Sequence, residues 1–161
     1  MEEPHPRLHE LVDQIAALAQ SRSLTVGVAE SLTGGQISAA LAGGDRAADW
    51  FRGAVVAYAA QVKFDVLQVD PGPVNTGSCA SQMALGAHRV LDCDVAVSAT
   101  GVGGPGPDEG TPAGTVFVAS SRRGRAVEVD EHHLEGEPEA VVEGTVALAL
   151  GALLEVLEDQ R

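Results

Sequence analysis

The sequence is poor in aromatic residues, in lysine and in basic charge. Aromatic side chains make up only 3% of the 161 residues, so the core must be built from alanine, valine and leucine. Ten lysines and arginines stand against 23 aspartates and glutamates, which gives a formal net charge of −13, and Lys63 is the only lysine. Nucleic acids and anionic membrane surfaces require a basic patch, so we expect neither as a partner.

Cysteine is also scarce. Cys79 and Cys93 lie far apart and form no C-x-x-C motif, so we predict unpaired thiols, one or both buried. His5 and His9 have helical spacing but no third ligand nearby, and we predict no metal and no cofactor. We find no apolar run of membrane-spanning length and no signal-peptide pattern in residues 1–7, and therefore expect a cytoplasmic protein.

Hydrophobic periodicity predicts one domain, residues 1–161, in which strands and helices alternate. The apolar run at 53–58 predicts a strand buried on both faces. Helices between strands favour parallel pairing, whereas a turn at 122–125 makes the last two strands an antiparallel hairpin. We predict a three-layer α/β/α sandwich with a five-stranded mixed, mostly parallel sheet, its strands at 24–28, 53–58, 95–100, 115–120 and 126–134 and its helices at about 8–18, 33–42, 45–51, 62–67, 78–91 and 138–157.

The stretch A-E-S-L-T-G-G at 29–35 directly follows the first predicted strand. Its small polar residues and paired glycines predict a tight turn into a helix. Ser31 would lie beside the free N–H groups of the helix start, where a nucleophile has an oxyanion hole ready. The alternative is that Ser31 or Thr33 merely caps the helix, the commonest use of these residues at this position.

Ligands in such folds gather at the carboxyl ends of the parallel strands. The loops at 29–35, 58–63 and 100–110 should therefore converge on one pocket holding Ser31, Tyr58 and Lys63. A lysine beside a serine acts as general base if desolvation lowers its pKa. Two alternatives remain open here, since Lys63 could face solvent and Tyr58 could pack in the core. The scarcity of lysine favours a specific role for Lys63.

The glycines at 101–106 fit the pattern G-x-G-x-x-G and follow a strand. A dinucleotide fingerprint must open a helix, however, and Pro105, Pro107 and Pro112 prevent one. We therefore predict no Rossmann site, and instead a glycine loop that lines a phosphate or ribose pocket.

Several motifs together resemble the C-terminal domain family of competence/damage-inducible protein CinA. They are A-E-S-L-T-G-G at 29–35, W-F at 50–51, the strand at 53–58 with Lys63, S-A-T-G-V-G-G-P at 98–105 and P-A-G-T-V at 112–116. The resemblance implies an α/β/α fold, no metal and a homo-oligomer. It also implies a serine–lysine amidohydrolase that deamidates the pyridine nucleotide nicotinamide mononucleotide to nicotinate mononucleotide and ammonia.

Transferred by position, the resemblance makes Ser31 the nucleophile, Lys63 the general base and Tyr58 their supporting residue. The residues expected at the substrate are Glu30, Thr33, Gly34, Gly35, Thr100, Gly101 and Gly103.

The sequence departs from the family pattern at a few positions. Ala59 stands where members carry serine, the segment 77–84 is altered, and Pro138 and Val142 lie where the family has arginines. In other members of the family, we expect these arginines to hold the substrate phosphate. In this chain, Arg46, Arg52 and Arg89 are the candidates to replace them. The alternative function is a non-catalytic member that binds a nucleotide or a protein partner.

Overall fold

A computed structural model describes residues 6–160 of the chain. Helices and strands alternate in this part as α1 (Pro6–Arg22), β1 (Val26–Glu30), α2 (Gln36–Ala42), α3 (Ala47–Trp50), β2 (Phe51–Val56), α4 (Ala60–Leu67), α5 (Gly77–Leu91), β3 (Val95–Gly101), β4 (Thr115–Arg122), β5 (Glu128–His133) and α6 (Pro138–Glu158). The predicted order of helices and strands is confirmed. Individual boundaries differ by a few residues, and His5 lies outside the described range.

The five strands form one sheet in the order β2-β1-β3-β4-β5. The β1–β2 and β1–β3 pairs are parallel, whereas β3–β4 and β4–β5 are antiparallel. The sheet is therefore mixed as predicted. It is not mostly parallel in its pairing, because the single reversed strand, β4, lies between two neighbours and makes both pairs antiparallel.

Helices cover both faces of the sheet, which confirms the α/β/α sandwich. One face carries α1, α2 and α6, whose apolar residues join one core cluster with Val26 and Val97. On the other face α4 and α5 pack through Leu67, Met83 and the free, buried Cys79 and Cys93. The prediction of unpaired, buried thiols is confirmed.

The strand predicted to be buried on both faces lies at the edge of the sheet. β2 pairs only with β1, and its residues are partly buried or exposed. The apolar run contains no information about sheet order, so the burial prediction was wrong. Val90, an apolar residue of α5, is also exposed. Asp45 does not cap the short helix α3, whose N-cap residue is Arg46.

The sequence-based expectation that no apolar segment is long enough to span a membrane is not met by α6. By length and composition alone, its 21 residues meet that criterion, with a mean hydropathy of 1.9 over the most apolar window. In this fold α6 packs on β3, β4 and α1, and it buries Val141, Ala149 and Leu153.

Candidate active site

The turn after β1 is fixed by a buried carboxylate. Glu30, the last residue of β1, has no exposed surface. Its Oε1 accepts hydrogen bonds from Thr33 Oγ1 at 2.6 Å and from Ile37 N at 3.1 Å, and its Oε2 accepts from Ser38 N at 2.9 Å. The side chain of Glu30 therefore satisfies the first N–H groups of α2, where a negative charge is favoured by the helix dipole.

This arrangement excludes the interpretation of Ser31 or Thr33 as a helix cap. The N-cap residue of α2 is Gly35, which has a φ of 103° and provides no side-chain hydrogen bond to the helix. Thr33 donates its hydroxyl to Glu30 instead. Within residues 6–160 the hydroxyl of Ser31 has no hydrogen-bond partner.

The backbone around Ser31 is held on both sides. Ser31 N donates to Ala99 O of β3 at 3.1 Å, and Ser31 O accepts from Gly34 N at 3.0 Å. The Gly34 N–H group is thus already used by Ser31 O and is not free to bind a ligand. The amides of Leu32 and Thr33 have no partner in the described part of the chain. These amides directly follow the serine and are the candidate oxyanion donors.

Lys63 is a buried lysine. It is 1% exposed, and its Nζ donates to Ala57 O at 2.9 Å and to Tyr58 O at 3.4 Å. Burial lowers the pKa of Lys63 below its ordinary value, and electrostatic interactions with Cys79 and Glu109 oppose that shift only in part. The alternative of a solvent-facing lysine is therefore wrong. Lys63 and Leu67 lie one turn apart on the buried side of α4.

Tyr58 lies at the mouth of the site, with 72% of its surface exposed. It is not a core aromatic residue. Its contact with Lys63 is made by the main-chain carbonyl, and its hydroxyl has no hydrogen-bond partner among residues 6–160. Tyr58 therefore contacts Lys63 through its backbone and not through its side chain.

A cavity of about 510 Å³ lies at the carboxyl ends of the three parallel strands. The predicted loops meet there, and of the predicted residues the cavity is lined by Ser31, Tyr58, Lys63, Gly101 and Gly103. Further lining comes from Leu32, Ala60, Val74, Asn75, Val102, Gly104, Pro105, Gly106, Pro107, Asp108, Pro138 and Val142.

The other predicted substrate residues do not line this cavity. Glu30 and Thr33 hold the turn, and Gly34 and Gly35 form the entry to α2 with positive φ angles. Thr100 is buried, and its hydroxyl donates to Val74 O at 3.1 Å. Glu30 and Thr100 lie in the strands β1 and β3, whereas Thr33, Gly34 and Gly35 lie in the turn that leads into α2.

Three residues that sequence reasoning missed join the glycine loop to the start of α5. The carboxylate of Glu109 accepts hydrogen bonds from Val74 N and Asn75 N, and Asn75 Nδ2 donates to Asp108 Oδ2 at 2.9 Å. Asn75 and Asp108 both line the cavity. The run D-E-G at 108–110 signals a turn, but no pattern indicates which segment the turn binds.

Cys79 lies behind Lys63 and beside Thr100. Burial raises the pKa of its thiol to about 11, although the positive charge of Lys63 and the hydrogen bond with Thr100 lower it. Cys79 is therefore a neutral thiol near pH 7, and Glu109 is the carboxylate whose charge opposes the lowered pKa of Lys63.

The arginines considered as phosphate ligands lie elsewhere. Arg46 pairs with Asp49, Arg52 donates to Leu91 O, and Arg89 donates to Val66 O. None of these three lines the cavity. Their predicted role is not supported by their positions.

Fold and site together describe an α/β/α protein with a serine, a buried lysine and a glycine loop around one cavity. The chain belongs to the CinA C-terminal domain family, which matches residues 8–157. It is 37% identical to a protein of Levilactobacillus brevis and 32% identical to one of Bacillus subtilis, both named as competence-damage inducible proteins. These matches cover 85% and 93% of this chain but 34% and 37% of the relatives, so the chain spans about a third of their length.

Solved structures of similar chains have the same fold. The competence damage-inducible protein A of Klebsiella pneumoniae superposes with a TM-score of 0.91 at 33% identity. The match covers 96% of this chain and 99% of that one.

Proposed function

We propose that this protein is a serine–lysine amidohydrolase acting on nicotinamide mononucleotide or a related pyridine nucleotide. One observation carries the proposal: the unpartnered hydroxyl of Ser31 and the buried amine of Lys63 line the same cavity. A nucleophile and a base of lowered pKa are what the cleavage of a carboxamide C–N bond requires. The reaction needs water as its only co-substrate.

In the first half of the reaction, Ser31 Oγ attacks the carboxamide carbon while Lys63 Nζ takes the hydroxyl proton. The tetrahedral intermediate carries its negative charge on the former carbonyl oxygen, toward which the amides of Leu32 and Thr33 donate. Lys63 returns the proton to the leaving nitrogen as the C–N bond breaks. Ammonia departs, and the acyl group stays on Ser31 as an ester.

In the second half, water attacks the ester carbon and gives a proton to Lys63. The C–O bond to Ser31 breaks, and the serine recovers its proton from Lys63. The carboxylic acid product leaves, so that each turnover consumes one carboxamide and one water and yields one carboxylic acid and one ammonia.

The hydrogen bonds of Lys63 are compatible with the role of a base. A neutral amine has two N–H donors and one lone pair. The donors are accounted for by Ala57 O and Tyr58 O, which leaves the lone pair for the proton of Ser31. The two carbonyls thereby fix the orientation of the amine.

Asn75 supports recognition of the carboxamide. Its side-chain nitrogen is bound to Asp108, whereas its Oδ1 has no partner within residues 6–160. Because Asn75 lines the cavity, this oxygen is an acceptor for the substrate N–H₂ group.

The alternative function, a non-catalytic protein that binds a nucleotide or a partner, is favoured by one observation. In the described part of the chain no hydrogen bond joins Ser31 Oγ to Lys63 Nζ. Catalytic hydrogen bonds are often absent without substrate and form only in the complex, and for this reason we prefer the enzyme.

Ammonia release from nicotinamide mononucleotide tests the proposal. The wild type and a Ser21→Ala control, whose serine lies in α1, should release ammonia at equal rates. Ser31→Ala and Lys63→Met should be slower by about 100-fold or more. Circular dichroism confirms that each variant is folded. A folded wild type that releases no ammonia contradicts the proposal and favours the binding function.

A further inference from the structure

The glycine loop contributes three free main-chain N–H groups to the wall of the candidate cavity. They belong to Gly103, Gly104 and Gly106, all of which line the cavity. Within residues 6–160 none of these N–H groups has a hydrogen-bond partner, whereas the flanking N–H groups of Val102 and Asp108 are both bound to main-chain carbonyls. The fold therefore satisfies the amides on either side of this run and leaves those within it available to a ligand.

The conformation of the loop favours an anion as that ligand. Gly104 and Gly106 have φ angles of 88° and 78°. Main-chain turns of this kind direct neighbouring N–H groups into one concavity, which is a recurrent anion site in proteins. Pro105 and Pro107 have neither an N–H group nor a polar side chain. Residues 103–107 therefore offer hydrogen-bond donors and no side-chain acceptor.

The loop extends from the proposed nucleophile to the start of α6. A Cβ placed on Gly103 would lie 3.9 Å from Leu32 Cδ1, and a Cβ on Gly104 would lie 3.9 Å from Pro138 Cγ. Leu32 directly follows Ser31, and Pro138 is the first residue of α6. A substrate whose carboxamide lies at Ser31 therefore meets the free amides of the loop where it extends toward α6.

The charges around the loop leave recognition of an anion to the main chain. In the described part of the chain no arginine lines the cavity, and its one lysine, Lys63, is the proposed base. Asp108 is the carboxylate that lines the cavity, and its Oδ2 accepts a hydrogen bond from Asn75 Nδ2. Glu139, in the first turn of α6, is exposed and does not line it. The N-terminal end of the 21-residue helix α6 carries partial positive charge and adds to the attraction.

We propose that the N–H groups of Gly103, Gly104 and Gly106 bind the 5′-phosphate of the substrate. This inference rests on the proposed function, and it narrows the substrate class to phosphorylated pyridine nucleosides. Hydrogen bonds to an ionised phosphate oxygen are stronger than those to a neutral oxygen. The three amides therefore distinguish a nucleotide from the corresponding nucleoside.

Nicotinamide mononucleotide and nicotinamide riboside form the matched pair for the test, since they differ only in the 5′-phosphate. Isothermal titration of folded Ser31→Ala protein gives the Kd of each compound without turnover. The mononucleotide should bind more tightly than the riboside by about tenfold or more. Equal or tighter binding of the riboside overturns the inference.

Two substitutions at one position test the main-chain donor itself. Gly103→Pro removes the N–H group, whereas Gly103→Ala keeps it and adds a Cβ in ordinary contact with Leu32 Cδ1. In the Ser31→Ala background, the ratio of the riboside Kd to the mononucleotide Kd should be about tenfold lower with proline than with alanine. Equal ratios in two folded proteins overturn the role of the Gly103 amide.

A further variant tests the location of the phosphate without altering the loop, and it decides the matter if Gly103→Pro does not fold. Val142 lines the cavity from α6, so Val142→Arg places a cation at that end. In the Ser31→Ala background it should tighten binding of the mononucleotide by about tenfold and should not tighten binding of the riboside. Val90→Arg, which adds the same charge at an exposed position of α5, should change neither Kd by more than about twofold. Equal effects of Val142→Arg on the two compounds overturn this location.

Binding and turnover separate this inference from the proposed function. If the mononucleotide binds more tightly than the riboside but the wild type releases no ammonia, the phosphate site is supported and the proposed function fails alone. If the wild type releases ammonia but the two compounds bind equally well, the phosphate site is overturned and the proposed function stands.

Discussion

Glu30 and Thr33 are joined by a hydrogen bond of 2.6 Å that spans Ser31. The same carboxylate accepts from the amides of Ile37 and Ser38, so the end of β1 and the start of α2 are tied together through one side chain. Ser31 is thereby held at the cavity without using its own hydroxyl. We regard Glu30 as the residue that positions Ser31, the proposed nucleophile.

Replacing Glu30 by glutamine should destabilise the protein by about 2 kcal/mol or more. The amide keeps one acceptor but turns an N–H₂ group toward donors, which leaves buried hydrogen-bonding groups unsatisfied. Urea unfolding measures the change. Glu10→Gln, at an exposed position on α1, serves as the control and should lie within about 0.5 kcal/mol of the wild type. A Glu30→Gln protein as stable as that control contradicts the positioning role.

Lys63 should give the reaction a basic requirement. The amine of Lys63 must be neutral to accept the proton, so kcat/KM should rise with pH and level off once Lys63 is deprotonated. Because burial lowers the pKa of Lys63, the midpoint of this rise should lie below the ordinary pKa of lysine. Lys63→Arg, which cannot become neutral, should lose about 100-fold or more at every pH. A pH-independent rate, or an active arginine variant, contradicts the role of Lys63 as base.

The buried lysine should also affect stability with pH. Between the lowered pKa of Lys63 and its ordinary value, the unfolded chain binds a proton that the folded chain does not. The free energy of unfolding of the wild type should therefore rise with pH in this window relative to Lys63→Met. Denaturant titrations at several pH values give the difference, and parallel curves for the two proteins count against a lowered pKa.

The buried thiol of Cys93 should make the free energy of unfolding fall with pH in the alkaline range, opposite to the effect of Lys63. Burial raises the pKa of this thiol from 9.0 to about 11, so between these values the unfolded chain loses a proton that the folded chain keeps. The wild type should lose about 2–3 kcal/mol of stability relative to Cys93→Ala as the pH rises through this range.

Both cysteines should resist thiol reagents at pH 8 until denaturant is added. Rapid labelling of the native protein contradicts this prediction.

Gly101 is expected to tolerate no side chain. Its φ is +148°, and an added Cβ would lie 2.4 Å from Thr115 O, so Gly101→Ala should cost about 3 kcal/mol or more and disturb the cavity wall. Gly151, inside α6 with no atom within 4 Å of such a Cβ, provides the matched control. Gly151→Ala should stabilise the helix by about 0.5–1 kcal/mol. Thermal unfolding of both variants checks the pair, and a Gly101→Ala protein of wild-type stability contradicts it.

The strand–turn–helix at Ser31 could be predicted because its signals are local: a β-branched run, small polar residues and paired glycines. The side chain that caps α2 could not be predicted from local signals. It comes from Glu30, seven residues before Ile37, and the preference for serine or threonine as a cap pointed to the wrong side chains. A specific role for Lys63 could be predicted because it is the only lysine in the sequence. Its burial could not, because burial depends on tertiary packing that residue spacing does not describe.

Longer-range relationships were beyond the sequence pattern. The apolar residues of β2 predicted a central strand, but sheet order is set by the crossovers and leaves β2 at the edge. Asn75 and Glu109 meet although 34 residues separate them, because the glycine loop folds back onto the start of α5. Local signals thus identified the loops of the site, and tertiary contacts selected which side chains face the cavity.

Mass spectrometry of acid-quenched protein tests the central claim, that Ser31 carries the acyl group, most directly. During turnover of a pyridine carboxamide, the peptide containing Ser31 should carry the pyridine acyl ester in the wild type and no adduct in Ser31→Ala, which should release no ammonia. Ammonia release at the wild-type rate by Ser31→Ala, with no adduct on the wild-type peptide, would show that another group performs the reaction.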